Sequence, residues 1–137
     1  MYEHFDHTAD LGLRMKAATF EELLADAGRG LLAMIVANPE AVRPVQSRTI
    51  TLAASQPQYL LFDWLSELLF AFESEKLRLS DFEIQLQGDD GLVATCRGEP
   101  MDQPRHIMDH EVKATTYHGL RVEQQDGAWF AEVIVDI

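Results

Sequence analysis

The run Trp129, Phe130, Ala131, Glu132, Val133, Ile134, Val135 reads as a buried β-strand and stops two residues short of the chain end. Chain ends ordinarily fray. A strand this apolar would instead hold Asp136 and the α-carboxylate of Ile137 in place, and a fixed terminal carboxylate is a ligand. A second acidic signature, His7-Thr8-Ala9-Asp10, lies in a strand connection at the other end of the chain. If the sheet brings the two ends together, the carboxylates of Asp10, Asp136 and Ile137 converge. Like charges ~4 Å apart repel by roughly 4 kcal/mol at an effective dielectric near 20, so such a cluster stays ionised only around something positive. A hard divalent cation is the natural guest: carboxylate oxygens suit calcium first, with magnesium or manganese as alternatives. Direct ligation by His7 would tilt the choice toward manganese or zinc.

The chain's 137 residues, 47% of them hydrophobic, can bury a core and predict one domain over 1–137. Eleven basic against 23 acidic residues leave a formal charge of −12, which repels a phosphate backbone and excludes unaided tight binding of nucleic acid. A basic or metal-bearing partner fits better. Cys96 is the single cysteine, so no internal disulfide can form and a reducing compartment is expected. Folding pattern begins by about residue two and no apolar run reaches the ~18 residues of a membrane span, so the expected location is the cytosol, away from any membrane.

Two short strands flank His7 to Asp10: Tyr2 to Phe5, and the alternating Leu11, Leu13, Met15. Thr19-Phe20-Glu21-Glu22 has the spacing of a capping box and opens a helix to about Val36, with Leu24, Ala27, Leu31 and Ile35 as its buried stripe. Gly28 and Gly30 each cost roughly 1 kcal/mol inside that helix, which points to close approach of a neighbouring element, with a local break of the helix as the alternative. Asn38-Pro39 ends it, and Thr49 to Ala53 alternates as a strand. Pro57 starts a second helix whose apolar stretch Tyr59 to Phe72 is expected at the centre of the core, with Trp64 beside the stripe of Leu61, Leu65, Leu68 and Phe72. Phe82 to Leu86, Leu92 to Arg97, Val112 to His118, Leu120 to Glu123 and Ala128 to Val135 alternate as strands. Gly88-Asp89-Asp90-Gly91 and Asp126-Gly127 serve as hairpin turns. The fold class is therefore α+β, a mainly antiparallel sheet packed with two helices.

Two further groups could carry chemistry. In VKATTYHGL, Lys113, Thr116 and His118 could contact a phosphate or a partner, or else line the solvated face of a strand; Tyr117 and His118 would point to opposite faces. Arg105, His106, Asp109 and His110 follow the Gly98-Glu99-Pro100 turn with only loose metal-ligand spacing, so a surface loop, usable for docking, is expected there. No G-x-S-x-G elbow, P-loop lysine, paired C-x-x-C or glycine-rich dinucleotide turn occurs, which leaves no obvious nucleophile. A small metal-dependent hydrolase and a binding module with a structural metal both remain open; an open coordination position beside a cleft would distinguish the first.

The opening YEHFDHTADLGLRM, the internal EVKATTYHGL and the closing VIVDI together resemble the archease family, in the expected order over nearly the whole chain. The resemblance implies an archease-like domain that is not itself an enzyme. It implies an activator of an RtcB-type 3′-phosphate RNA ligase, promoting the ligase's GTP-dependent guanylylation and multiple turnover in tRNA splicing and RNA repair. Contact with RNA and GTP would then be indirect, through the ligase. The family's metal ligands fall on Asp10, Asp136 and Ile137. An older reading of the family, as a chaperone-like modulator of RNA-modifying enzymes, is compatible with the same residues.

Overall fold

Thr19 sets the start of the first helix. Its hydroxyl accepts the backbone N–H of Glu22 at 3.1 Å, satisfying a donor that a helix N-terminus otherwise leaves orphaned. Helix α1 then runs over Phe20–Ile35 and buries the expected stripe of Leu24, Ala27, Leu31 and Ile35. Helix α2, Pro57–Ser74, opens on proline at its first position and buries Leu61, Trp64, Leu65, Leu68 and Phe72. The Trp64 indole N–H donates to the Leu24 carbonyl at 2.8 Å and so ties the two helices at their most buried point.

The computed structural model describes residues 1–137 apart from Thr8, Ala9, Ala54, Ser55, Asp89 and the side chain of His7. The strands in chain order are β1 Tyr2–His7, β2 Asp10–Ala17, β3 Gln46–Ala53, β4 Leu77–Leu86, β5 Gly91–Pro100, β6 Ala114–Thr115, β7 Arg121–Gln125 and β8 Ala128–Asp136. They form two antiparallel sheets where the sequence pattern suggests one. One sheet has the order β1-β2-β8, with the short β6 and then β7 sharing the far edge of β8; the other is β3-β5-β4. Helix α1 packs on β1 and β2 of the first sheet and β4 of the second, and α2 packs against α1, β4 and β6. The α+β class expected from the chain is the one observed.

Alternation along β2 and β8 decides which face is covered. Leu11, Leu13 and Met15 point inward with Ala131, Val133 and Val135, and all are buried. The two helix glycines have the role expected of them. A Cβ on Gly28 would lie 2.8 Å from the Phe82 ring, and one on Gly30 2.5 Å from Leu13 Cδ1, so the strands can lie against α1 only where it lacks side chains. Asp126 and Gly127 both adopt left-handed backbone, with φ of 52° and 76°, the conformation of a type I′ hairpin, and they join β7 to β8. Gly88 and Gly91 flank the β4–β5 connection; its Asp89 is outside the described residues.

The stretch Val112 to His118 departs from expectation. Only Ala114–Thr115 is a strand, because the chain turns at Tyr117–Leu120, where Gly119 takes a φ of 65° and the Leu120 N–H reaches the Tyr117 carbonyl. Tyr117 and His118 therefore sit on that turn and do not alternate across a sheet.

Gly98 provides the sharpest test of this packing. Its missing Cβ is what lets β5 lie against β4 at the bulge between Leu79 and Asp81, since a Cβ there would collide with the Arg78 carbonyl oxygen. Gly98→Ala is expected to destabilise the fold by about 2 to 3 kcal/mol, read as a lower urea midpoint. An unchanged midpoint would mean that the strands do not approach this closely.

Candidate functional site

The eight paired positions of β2 and β8 bring the ends of the chain together. Asp10 lies directly opposite Asp136, and Ala17 opposite Trp129 at the other end of the ladder. On its other side Asp10 pairs with His7 of β1, while Asp136 pairs with Ala114 of β6. One row across the sheet therefore reads His7, Asp10, Asp136, Ala114. Asp10 and Asp136 lie on the outer face, since Leu11 and Val135 next to them face the core. The Asp136 carbonyl accepts the Lys113 N–H at 2.8 Å, which fixes the strand end and brings exposed Lys113 next to the row. Ile137 lies just beyond the last pair and is exposed.

Elsewhere this face balances its charge within the sheet. Arg14 donates to Glu3 at 2.7 Å and to Glu132 at 2.9 Å, and Arg121 reaches Glu132 at 3.1 Å. The hydrogen bond from Arg14 and the charge of Arg121 lower the Glu132 pKa. The terminal row instead sets two carboxylates opposite each other, a pairing that is unfavourable by itself. Carboxylate oxygens on adjacent strands suit a hard cation. Among the described residues no three His, Cys, Asp or Glu come together as a metal group, so a third protein oxygen for such an ion has to come from another source, such as the terminal carboxylate. Of the proposed neighbour His7 only the backbone register is described, and Thr8 and Ala9 of the same motif lie outside the described residues.

In the 113–118 segment, the Thr116 hydroxyl donates to the Ile134 carbonyl at 2.9 Å and accepts the His118 N–H at 3.2 Å. It shapes the turn. Lys113 and His118 are exposed. Tyr117 stacks on Phe62 of α2, with ring centroids 4.0 Å apart and planes 8° from parallel.

The segment around Arg105 is not the plain surface loop expected from its polarity. His106 is 1% exposed and Glu99 5% exposed. Glu99 Oε1 accepts from Arg105 Nη2 at 2.5 Å, while Oε2 accepts the Arg43 N–H at 2.7 Å and lies 3.0 Å from His106 Nε2. The Asp102 N–H donates to His106 Nδ1 at 3.0 Å, so the ring's proton sits on Nε2 and points at Glu99. Arg105 also donates to Asp102 and to the Ala41 carbonyl. Asn38 accepts the Ile107 N–H and donates to the Arg105 carbonyl, and Asp109 and His110 donate backbone N–H groups to the carbonyls of Ile35 and Met34. This network fastens the segment to the C-terminal end of α1. Asp109 and His110 remain near the surface, 3.5 Å apart. Burial pushes the Cys96 thiol up to about 12, so the lone cysteine is an inert core group.

Comparison with known proteins places this architecture. The archease protein family (MTH1598/TM1083) matches residues 2–137. A protein archease from Methanopyrus kandleri is 40% identical over 99% of both chains, and one from Pyrococcus furiosus is 34% identical over 99% of this chain and 98% of its own. The solution structure of Methanobacterium thermoautotrophicum protein 1598 superposes with a TM-score of 0.82 at 28% identity, covering 99% of this chain and 98% of that one. The fold is also that of a Thermotoga maritima archease, described as a possible chaperone, with a TM-score of 0.69, 20% identity and coverage of 100% and 98%.

The Glu99 network predicts a specific acid response. The hydrogen bond from Arg105, aided by those from Arg43 and His106, holds the Glu99 carboxyl at about 2, below its ordinary 4.5. Its folded-state pKa is depressed, so its contribution is complete above about 4.5 and is lost as pH falls toward about 2. Glu99→Gln is expected to cost roughly 2 to 3 kcal/mol at neutral pH and to flatten the stability curve across that window in denaturant titrations. A parallel wild-type and variant pH dependence would contradict this assignment.

Proposed function

The chain belongs to the archease family, and on that premise we propose that it is a non-catalytic activator of an RtcB-type 3′-phosphate RNA ligase. In this reading it promotes GTP-dependent guanylylation of the ligase and its multiple turnover in tRNA splicing or RNA repair. The observation that carries the reading is the cross-strand pair Asp10 and Asp136 at one end of the outer sheet face. Asp10, Asp136 and the Ile137 carboxylate would hold a hard divalent cation, calcium first, with magnesium or manganese as alternatives and His7 as a neighbour. When bound, such an ion supplies positive charge to oxygens of a nucleotide phosphate or of the ligase.

The chain's own residues have simpler tasks. Asp10 and Asp136 orient oxygens outward from a rigid two-strand ladder, which holds them more precisely than a loop would. Lys113 offers an exposed cation at the groove along α2, suited to a phosphate or a partner carboxylate. The charge of −12 favours encounter with a basic, RNA-binding partner and speeds association at low salt.

The decisive assay is multiple-turnover RNA ligation by the cognate ligase with GTP and manganese. The protein should activate it. Asp10→Ala or Asp136→Ala should abolish activation while leaving thermal unfolding cooperative, and residues appended after Ile137 should weaken it. Activation that survives metal depletion would sink the metal mechanism, and protection of an RNA-modifying enzyme from aggregation without ligase activation would favour the chaperone-like role. Ion binding has its own readout. Calcium at 100 times its Kd should stabilise the protein by roughly 2.7 kcal/mol and leave Asp136→Asn unmoved in thermal unfolding.

A further inference from the structure

Helix α2 is apolar on two sides, and the second is only partly covered. Its buried side holds Leu61, Trp64, Leu65, Leu68 and Phe72. Its other side carries Tyr59, Phe62, Ser66 and Phe70 at helical spacing, and the 113–117 segment lies against it. The Ser66 hydroxyl is 2.8 Å from that of Thr115, while Tyr117 stacks on Phe62 and meets Tyr59 edge-on with centroids 6.2 Å apart. Phe70 remains 55% exposed and Tyr117 61% exposed. Grooves beside Phe62 and Phe70, and beside Tyr59 and Tyr117, have volumes of about 270 and 440 Å³.

We propose that this aromatic face of α2 and the 113–117 turn is a docking surface for a basic amphipathic segment of a partner protein. Charge selects the occupant. Asp63, Glu67 and Glu73 interleave with the aromatic residues along the helix, against the single cation Lys113 on the facing segment. Aromatic rings alone would equally suit stacked nucleobases. A row of carboxylates in a chain of charge −12 repels their phosphates and attracts lysine and arginine. Exposed aromatic side chains of this size are the usual anchors of protein interfaces, and apolar residues of the incoming segment would fill the two grooves.

The surface adjoins the strand end that carries the acidic row through the backbone of Lys113. Lys113 lines the groove with Phe62 and Phe70, while its backbone N–H holds the Asp136 carbonyl. A partner seated on α2 is thereby brought to the chain end. Naming the RNA ligase as that partner rests on the function proposed above; the chemistry of the occupant rests on the face alone.

The test uses the full chain and two probes, a synthetic Leu/Lys amphipathic peptide and the cognate ligase, with binding followed by fluorescence anisotropy and biolayer interferometry. Phe70→Ser and Tyr117→Ser should weaken both interactions by about tenfold each, and Asp63→Lys with Glu73→Lys should remove the salt dependence of peptide binding. Asp136→Ala should bind the peptide as the wild type does. All five positions are exposed, so the variants should keep the wild-type unfolding midpoint. Peptide binding that is unchanged in Phe70→Ser and Tyr117→Ser, or an oligouridine that binds this face more tightly than the peptide, would overturn the proposal. Wild-type binding to the peptide and not to the ligase would support the docking surface and reject the ligase reading.

Discussion

Everything in the first sheet hangs on the antiparallel pairing of β2 with β8, residues from opposite ends of the chain in register over eight positions. Strand β1 extends the sheet from one side of that pair, and β6 and β7 extend it from the other. Because side chains alternate with a period of two, a slip by one residue would send Leu13 and Val133 into solvent and bring Arg14 and Glu132 into the core. The register is therefore enforced by the apolar face, and the outer face inherits its geometry. Asp10 meets Asp136 because Leu13 meets Val133.

The outer face shows the same chain handling charge in two ways. Around Arg14, acids and guanidinium groups alternate across the strands, and such exposed pairs contribute little to stability. In the terminal row Asp10 and Asp136 stand opposite each other in the ladder. Carboxylates on adjacent strands suit a hard cation, which is why the row serves as the candidate site. Helix α2 presents aromatic residues that the core does not use, and the backbone of Lys113 links the groove beside them to the strand end that carries the row.

The segment from Met101 to Glu111 shows where reading a sequence fails. Its polarity and charge are those of a loop, and local composition holds no sign that Glu99 and His106 are buried. Their partners are Arg43, Arg105 and Asp102, one of which is 56 residues away in the chain. Where a turn was expected at Gly98-Glu99-Pro100, β5 continues through Pro100 because these residues pair with β4, and an acid continuing a buried strand needs a partner. The 112–118 strand failed for the opposite reason. Alternation was present, but Gly119 and the Thr116 hydroxyl turn the chain after two paired residues. One broad sheet was expected where two exist, because alternation reports which face of a strand is covered and is silent about its neighbours.

By itself the sequence determined the elements and their faces: a capped helix at Thr19, a proline-started helix at Pro57, glycines where strands approach α1, and a hairpin turn at Asp126-Gly127. These depend on spacing over a few residues, so they are written locally. It also marked both chain ends as unusual, and the motifs there carried the family resemblance. Only the tertiary structure decided that β2 and β8 are neighbours, that the strands divide into two sheets, that Asp10 stands opposite Asp136, and that His106 is buried on Glu99. Each of those depends on groups far apart in the chain, brought together by burying a shared apolar surface and satisfying the polar groups trapped beside it, and no local pattern encodes such a pairing.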